Sequence, residues 1–65
     1  MKKKFFVEIE YDDETSFNFN VEIEGRESSI IGSLMMITRG TLQASSASSA
    51  TAYDEESFPV CSYKQ

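Results

Sequence analysis

The sequence predicts a small α+β domain with the order strand, strand, helix, strand, strand. Residues 5–11 and 17–24 alternate apolar and polar side chains with period two, as half-buried strands do. Residues 30–42 carry apolar side chains at helical spacing. Residues 58–64 return to alternation after a second acidic turn signal, DEES. The expected architecture is two antiparallel hairpins packed on one amphipathic helix.

Length and composition set the bounds. The 65 residues hold one domain, 1–65. A chain this short buries only about 60% of its unfolded surface, so its stability is marginal. Cys61 is the only cysteine and there is no His, which excludes an internal disulfide and a zinc site. The hydrophobic fraction of 40%, with five Phe and three Tyr, is too high for a disordered chain despite the net charge of −5. MKKKFFVEIE briefly imitates a secretory signal, but Glu8 and Glu10 end the apolar run. No stretch approaches the ~20 apolar residues of a membrane span. The expectation is a cytoplasmic protein with a reduced thiol and no membrane partner.

The first hairpin spans about 4–24. Phe5, Val7, Ile9 and Tyr11 face one side and Phe6, Glu8 and Glu10 the other. Phe17, Phe19, Val21 and Ile23 oppose Asn18, Asn20, Glu22 and Glu24 in the same way. Both apolar sets occupy odd positions, so paired residue numbers must sum to an even number. A two-residue turn at Asp13–Glu14 breaks that parity and is rejected. Pairing Tyr11 with Phe17 satisfies it and sets Lys4 opposite Glu24 with no two glutamates opposed. Pairing Tyr11 with Thr15 is the neighbouring alternative.

The helix spans about 28–43, with Ser28 or Ser29 as its N-cap. Ile30, Leu34, Ile37 and Thr41 form one line and Ile31, Met35, Thr38 and Leu42 the next, with Met36 off both. Gly32 and Gly40 each cost ~1 kcal/mol inside a helix. They read as a close helix–sheet approach and a helix end, respectively. The Met35–Met36 pair reads as core filler ahead of an adaptable binding surface.

Residues 44–52, ASSASSATA, admit three readings: linker, helix tail or strand. Ala44 to about Ala47 is assigned to the connection, and about Ser48 to Tyr53 to the third strand. Its small residues suit a position covered by the helix or another subunit. The second hairpin then spans about 48–64. Pro59, which cannot donate a ladder hydrogen bond, belongs at the start of the fourth strand or on an open side.

This order of elements is similar to that of the β-grasp fold in its minimal immunoglobulin-binding form. The resemblance covers the whole chain by element order alone, and no site residues carry over. It implies that strands one and four run parallel at the sheet centre. It also implies that the turns at Asp12–Glu14 and Asp54–Glu56 lie at opposite ends. The alternative is a plain antiparallel sheet with another strand order, or one completed across a dimer.

Chemistry is sparse. Glu8, Glu10, Glu22 and Glu24 fall on a solvent face where nothing tunes a carboxylate for catalysis. Cys61 has no His to activate it, and the serines of 45–49 have no base. The glycines form no phosphate loop, and Asp12–Glu14 lacks calcium-loop spacing. We expect no enzyme, no cofactor and no metal. The negative charge opposes nucleic-acid binding. The leading reading is a small acidic protein–protein interaction module, monomer or homodimer. Its surface would be Phe6 among Glu8, Glu10, Glu22 and Glu24, an aromatic anchor set in charge. The alternatives are a self-associating structural protein and an acidic mimic that inhibits a nucleic-acid-binding protein.

Overall fold

The computed structural model describes residues 1–65. The elements are β1 (Lys2–Glu10), β2 (Ser16–Glu24), α1 (Glu27–Ser45), β3 (Ser49–Tyr53) and β4 (Pro59–Lys64). This is the expected ββαββ order. The strands form one antiparallel sheet in the order β2-β1-β3-β4.

The β-grasp arrangement is overturned. β1 pairs with β3, and β4 is an outer strand rather than the parallel neighbour of β1. Pro59 opens β4 and lacks an N–H, and the β3–β4 register shifts between Ala52 and Tyr53. Both features suit an edge and weaken a central strand. Ala50 and Ala52 of β3 are fully buried, and their small side chains let α1 lie close above. β2 and β3 both run antiparallel to β1, so α1 is the crossover that carries the chain past β1. The two acidic turns do lie at opposite ends of the sheet, because β3 starts beside Glu10 and ends beside Phe6.

In the first hairpin the even-sum rule holds, but the pairing of Tyr11 with Phe17 does not. Ile9 faces Phe17 and Val7 faces Phe19, which is the alternative register. That register sets two Lys–Glu pairs across the strands, Lys2 with Glu24 and Lys4 with Glu22, where the other sets one. The turn explains the choice. The Glu14 amide donates to the Tyr11 carbonyl (3.2 Å) and the Tyr11 amide to the Thr15 carbonyl (3.0 Å). Glu14 is left-handed at φ 69°. This is a three-residue loop closed by a left-handed residue. The second turn repeats it: the Ser57 amide donates to the Asp54 carbonyl and the Asp54 amide to the Phe58 carbonyl, both at 3.0 Å, with Ser57 at φ 68°. An aspartate braces each loop. Asp13 Oδ1 accepts from the Thr15 hydroxyl (2.5 Å) and amide (3.1 Å). Asp54 Oδ1 accepts from the amides of Glu56 (2.9 Å) and Phe58 (3.0 Å).

The helix is longer than expected at both ends. Arg26 is its N-cap, without a side-chain cap, and Ser28 and Ser29 lie inside the first turn. Gly40 does not end it. The chain stays helical to Ser45 and turns out at Ser46 (φ 56°), so ASSASSATA is helix tail, left-handed cap, short loop and strand in succession. The buried stripe is Ile30, Leu34, Thr38 and Leu42. Thr38 is tolerated there because its hydroxyl donates to the Leu34 carbonyl at 2.8 Å. The stripe is rotated from the expected lines, so Ile31 and Met35 are exposed along with Met36. The methionine pair is therefore not core filler. A Cβ at Gly32 or Gly40 would meet nothing within 4 Å, so neither glycine serves a close approach to the sheet.

The core lies between α1 and one sheet face: Phe5, Val7, Ile9, Ile23, Ile30, Leu34, Leu42, Ala47, Ala50 and Ala52. On β4, Cys61 and Tyr63 pack against it, and the register shift brings Val60 in with them. The opposite sheet face carries no helix. No helix is long and apolar enough to cross a membrane.

Candidate interaction surface

The helix-free face is built from the even positions of β1 and β2 and the odd positions of β3. Register places them in rows across the sheet. Phe6 lies between Asn20 and Tyr53, Glu8 between Asn18 and Thr51, and Glu10 between Ser16 and Ser49. Toward the other end, Lys4 faces Glu22 and Lys2 faces Glu24. Thr51 and Ser62 extend the Glu8 row, with their hydroxyls 3.1 Å apart.

Phe6 is on this face, as expected, but it is half-buried rather than isolated. Its ring packs on Tyr53 with centroids 6.2 Å apart and planes tilted 48°. That geometry is favourable for an aromatic pair and covers one side of each ring.

The four glutamates do not ring Phe6 evenly. Glu8 is its same-face neighbour on β1, about 7 Å along the strand. Glu22 is diagonal to it and is held by Lys2, with Nζ 3.6 Å from Oε1. Glu10 and Glu24 lie a further step away, roughly 13 Å along the strands. The structure therefore joins Phe6, Glu8 and Glu22 and leaves Glu10 and Glu24 at the margins.

It also adds residues that the sequence did not point to. Tyr53, Ser57 and Glu55 arrive from the second hairpin because β1 pairs with β3. An open cleft of about 510 Å³ runs beside Phe6, between Lys4 and Asn20 on one wall and Asp54, Glu55 and Ser57 on the other. A smaller one, about 210 Å³, is lined by Phe6, Glu8, Tyr53 and Ser57. Two aromatic rings and a carboxylate sharing one cleft make a polar–aromatic niche that favours a cation.

Several polar groups away from this face are occupied structurally. The Ser45 hydroxyl donates to the Thr41 carbonyl at 2.7 Å, and the Ser48 hydroxyl donates to the Asp12 carboxylate, tying the start of β3 to the first turn. The Cys61 thiol is half-buried and lies 3.9 Å from the Thr38 hydroxyl. No three acidic or thiol side chains converge as a metal centre would need.

Fold and face together define a class: a small open-sheet α+β protein, helix-covered on one side and charged, with an aromatic centre, on the other. No protein-family model, curated protein or solved structure matches the chain.

Proposed function

We propose that this protein is a non-enzymatic binding module that takes a basic segment of another protein on its helix-free sheet face. The observation that carries this reading is the Phe6–Tyr53 pair, open on one side and sharing a cleft with Glu8. An Arg or Lys side chain laid against the rings gains a cation–π contact of about 0.5–1 kcal/mol at an exposed site. Glu8 adds a charge-assisted hydrogen bond, and the net charge of −5 steers a basic partner toward the protein. Glu10, Glu22 and Glu24 act as the surrounding field rather than as direct contacts. The same charge repels nucleic acid, so a nucleic-acid-binding protein is a candidate partner and the nucleic acid is not. The proposal needs no cofactor, and it places the protein in the cytoplasm, where a lone thiol stays reduced.

The test is capture on the tagged protein from nuclease-treated lysate, with Phe6→Ser alongside. The reading expects a partner that is retained at low salt, released at high salt and lost on Phe6→Ser. As an anchor, Phe6 should carry about 2 kcal/mol, a ~30-fold change in affinity. Equal retention by both forms would sink the reading, and so would Phe6→Ser failing to fold by circular dichroism, which would make Phe6 a structural residue.

A further inference from the structure

We infer that β2 is the dimerisation edge: two copies of this chain join β2 to β2 antiparallel, about a two-fold axis at Asn20, into one continuous eight-stranded sheet.

The two outer strands of the sheet are not alike. β4 is six residues long, opens with Pro59, carries a register shift and ends in Lys64. Each of these discourages pairing with another chain. β2 is nine residues long and has no Pro, Gly, Lys or register shift. Its odd residues bond to β1: the Tyr11 amide donates to Thr15 at one end and the Gly25 amide to Met1 at the other. Strand geometry then turns the N–H and C=O groups of Ser16, Asn18, Asn20, Glu22 and Glu24 outward, toward no neighbour.

The side chains of β2 are also left short of cover. Phe17 is 40% exposed, and Phe19 and Val21 are only half-buried, while Ile23 alone on this strand is buried. α1 lies mainly over β3 and β4. The Tyr11, Phe17 and Phe19 rings run along the open margin, with centroids 6.0 and 6.5 Å apart in succession.

The occupant follows from charge and shape. With Asn20 on the axis, Asn18 faces the partner's Glu22 and Ser16 faces the partner's Glu24. No two carboxylates are opposed. Phe19 then faces the partner's Val21 and Phe17 faces the partner's Ile23, aromatic against β-branched on the helix side. The outward-facing residues fall opposite each other as hydrogen-bonded pairs, giving about ten new backbone bonds. Moving the axis to Glu22 or beyond would set glutamate against glutamate. The strand is thus complementary to itself in the register that uses its whole length. This inference does not rest on the Phe6–Tyr53 pair, although Asn20 also borders the cleft beside Phe6.

The test is native mass and amide exchange on the full chain and two variants. Asn20→Lys sets two ammonium groups face to face on the axis. Asn20→Pro removes an outward N–H that β1 does not use. The wild type should have twice the chain mass at ~100 μM, and its Asn18, Asn20 and Glu22 amides should exchange at least ~10-fold more slowly than in Asn20→Lys. Asn20→Lys should be monomeric and folded; if Asn20→Pro folds, it should be monomeric too. A wild type that stays monomeric across a hundredfold concentration range overturns the inference. So does a dimer that Asn20→Lys leaves intact, because the contact would then lie on β4 or α1.

Discussion

Glu14, Ser46 and Ser57 hold positive φ without being glycine. A left-handed L-residue costs roughly 1–2 kcal/mol, and glycine there removes that strain while adding some chain entropy. Ser46→Gly should therefore stabilise the protein by about 0.5–1 kcal/mol, raising Tm by roughly 4–8 °C per kcal/mol. Thermal denaturation checks it, and Ser57→Gly and Glu14→Gly should move the same way. Asp13 offers a second probe at this scale. The Thr15 hydroxyl, and then its amide, hold the Asp13 carboxyl below its ordinary 3.8. A carboxyl lowered on folding contributes stability that is present above its unfolded value and lost as pH falls through its folded value. Thr15→Val should raise the Asp13 titration toward 3.8, read by carbon NMR. An unmoved titration would mean that the hydroxyl bond does not form in solution.

The elements were legible where pattern is local. Period two announced β1 and β2, helical spacing announced α1, and parity ruled out half of the hairpin registers. The remaining choice between even registers depended on a loop whose left-handed residue is Glu14, a residue type that does not signal that conformation. The rotation of α1 was hidden because Ile31 and Met35 widen the apolar pattern past the Ile30, Leu34, Thr38 and Leu42 stripe that is actually buried. Strand order rests on pairing between β1 and β3, from Glu10 with Ser49 to Phe6 with Tyr53, residues distant in sequence that no local pattern links. Half of the candidate surface was lost with it: Phe6 was visible, but Tyr53 was not. The helix supplies its own prediction. Gly32 and Gly40 look into open space, so Gly32→Ala and Gly40→Ala should each stabilise by up to ~1 kcal/mol in urea unfolding. If either substitution gives no gain and instead disrupts an assembly, something packs closely on that helix face.

At the scale of the whole molecule, two local hairpins are joined by one long-range ladder, β1 with β3, and roofed by α1. Phe5, Val7 and Ile9 of β1 sit at the centre of this union, so Val7→Ala should cost about 2 kcal/mol or more, measured by denaturant titration. Central β1 also fixes where the first and last residues lie. Met1 bonds to Gly25 at one end of the sheet, and Gln65 bonds to Ser48 at the other, along a body 37 Å long. Tension applied between residues 1 and 65 therefore runs along the strands. It loads the β1–β3 and β3–β4 ladders in shear, so their bonds must yield together. Tension between residues 1 and 25, at adjacent strand ends, would open the first hairpin one bond at a time. Single-molecule pulling should find the first geometry mechanically stiff and the second soft.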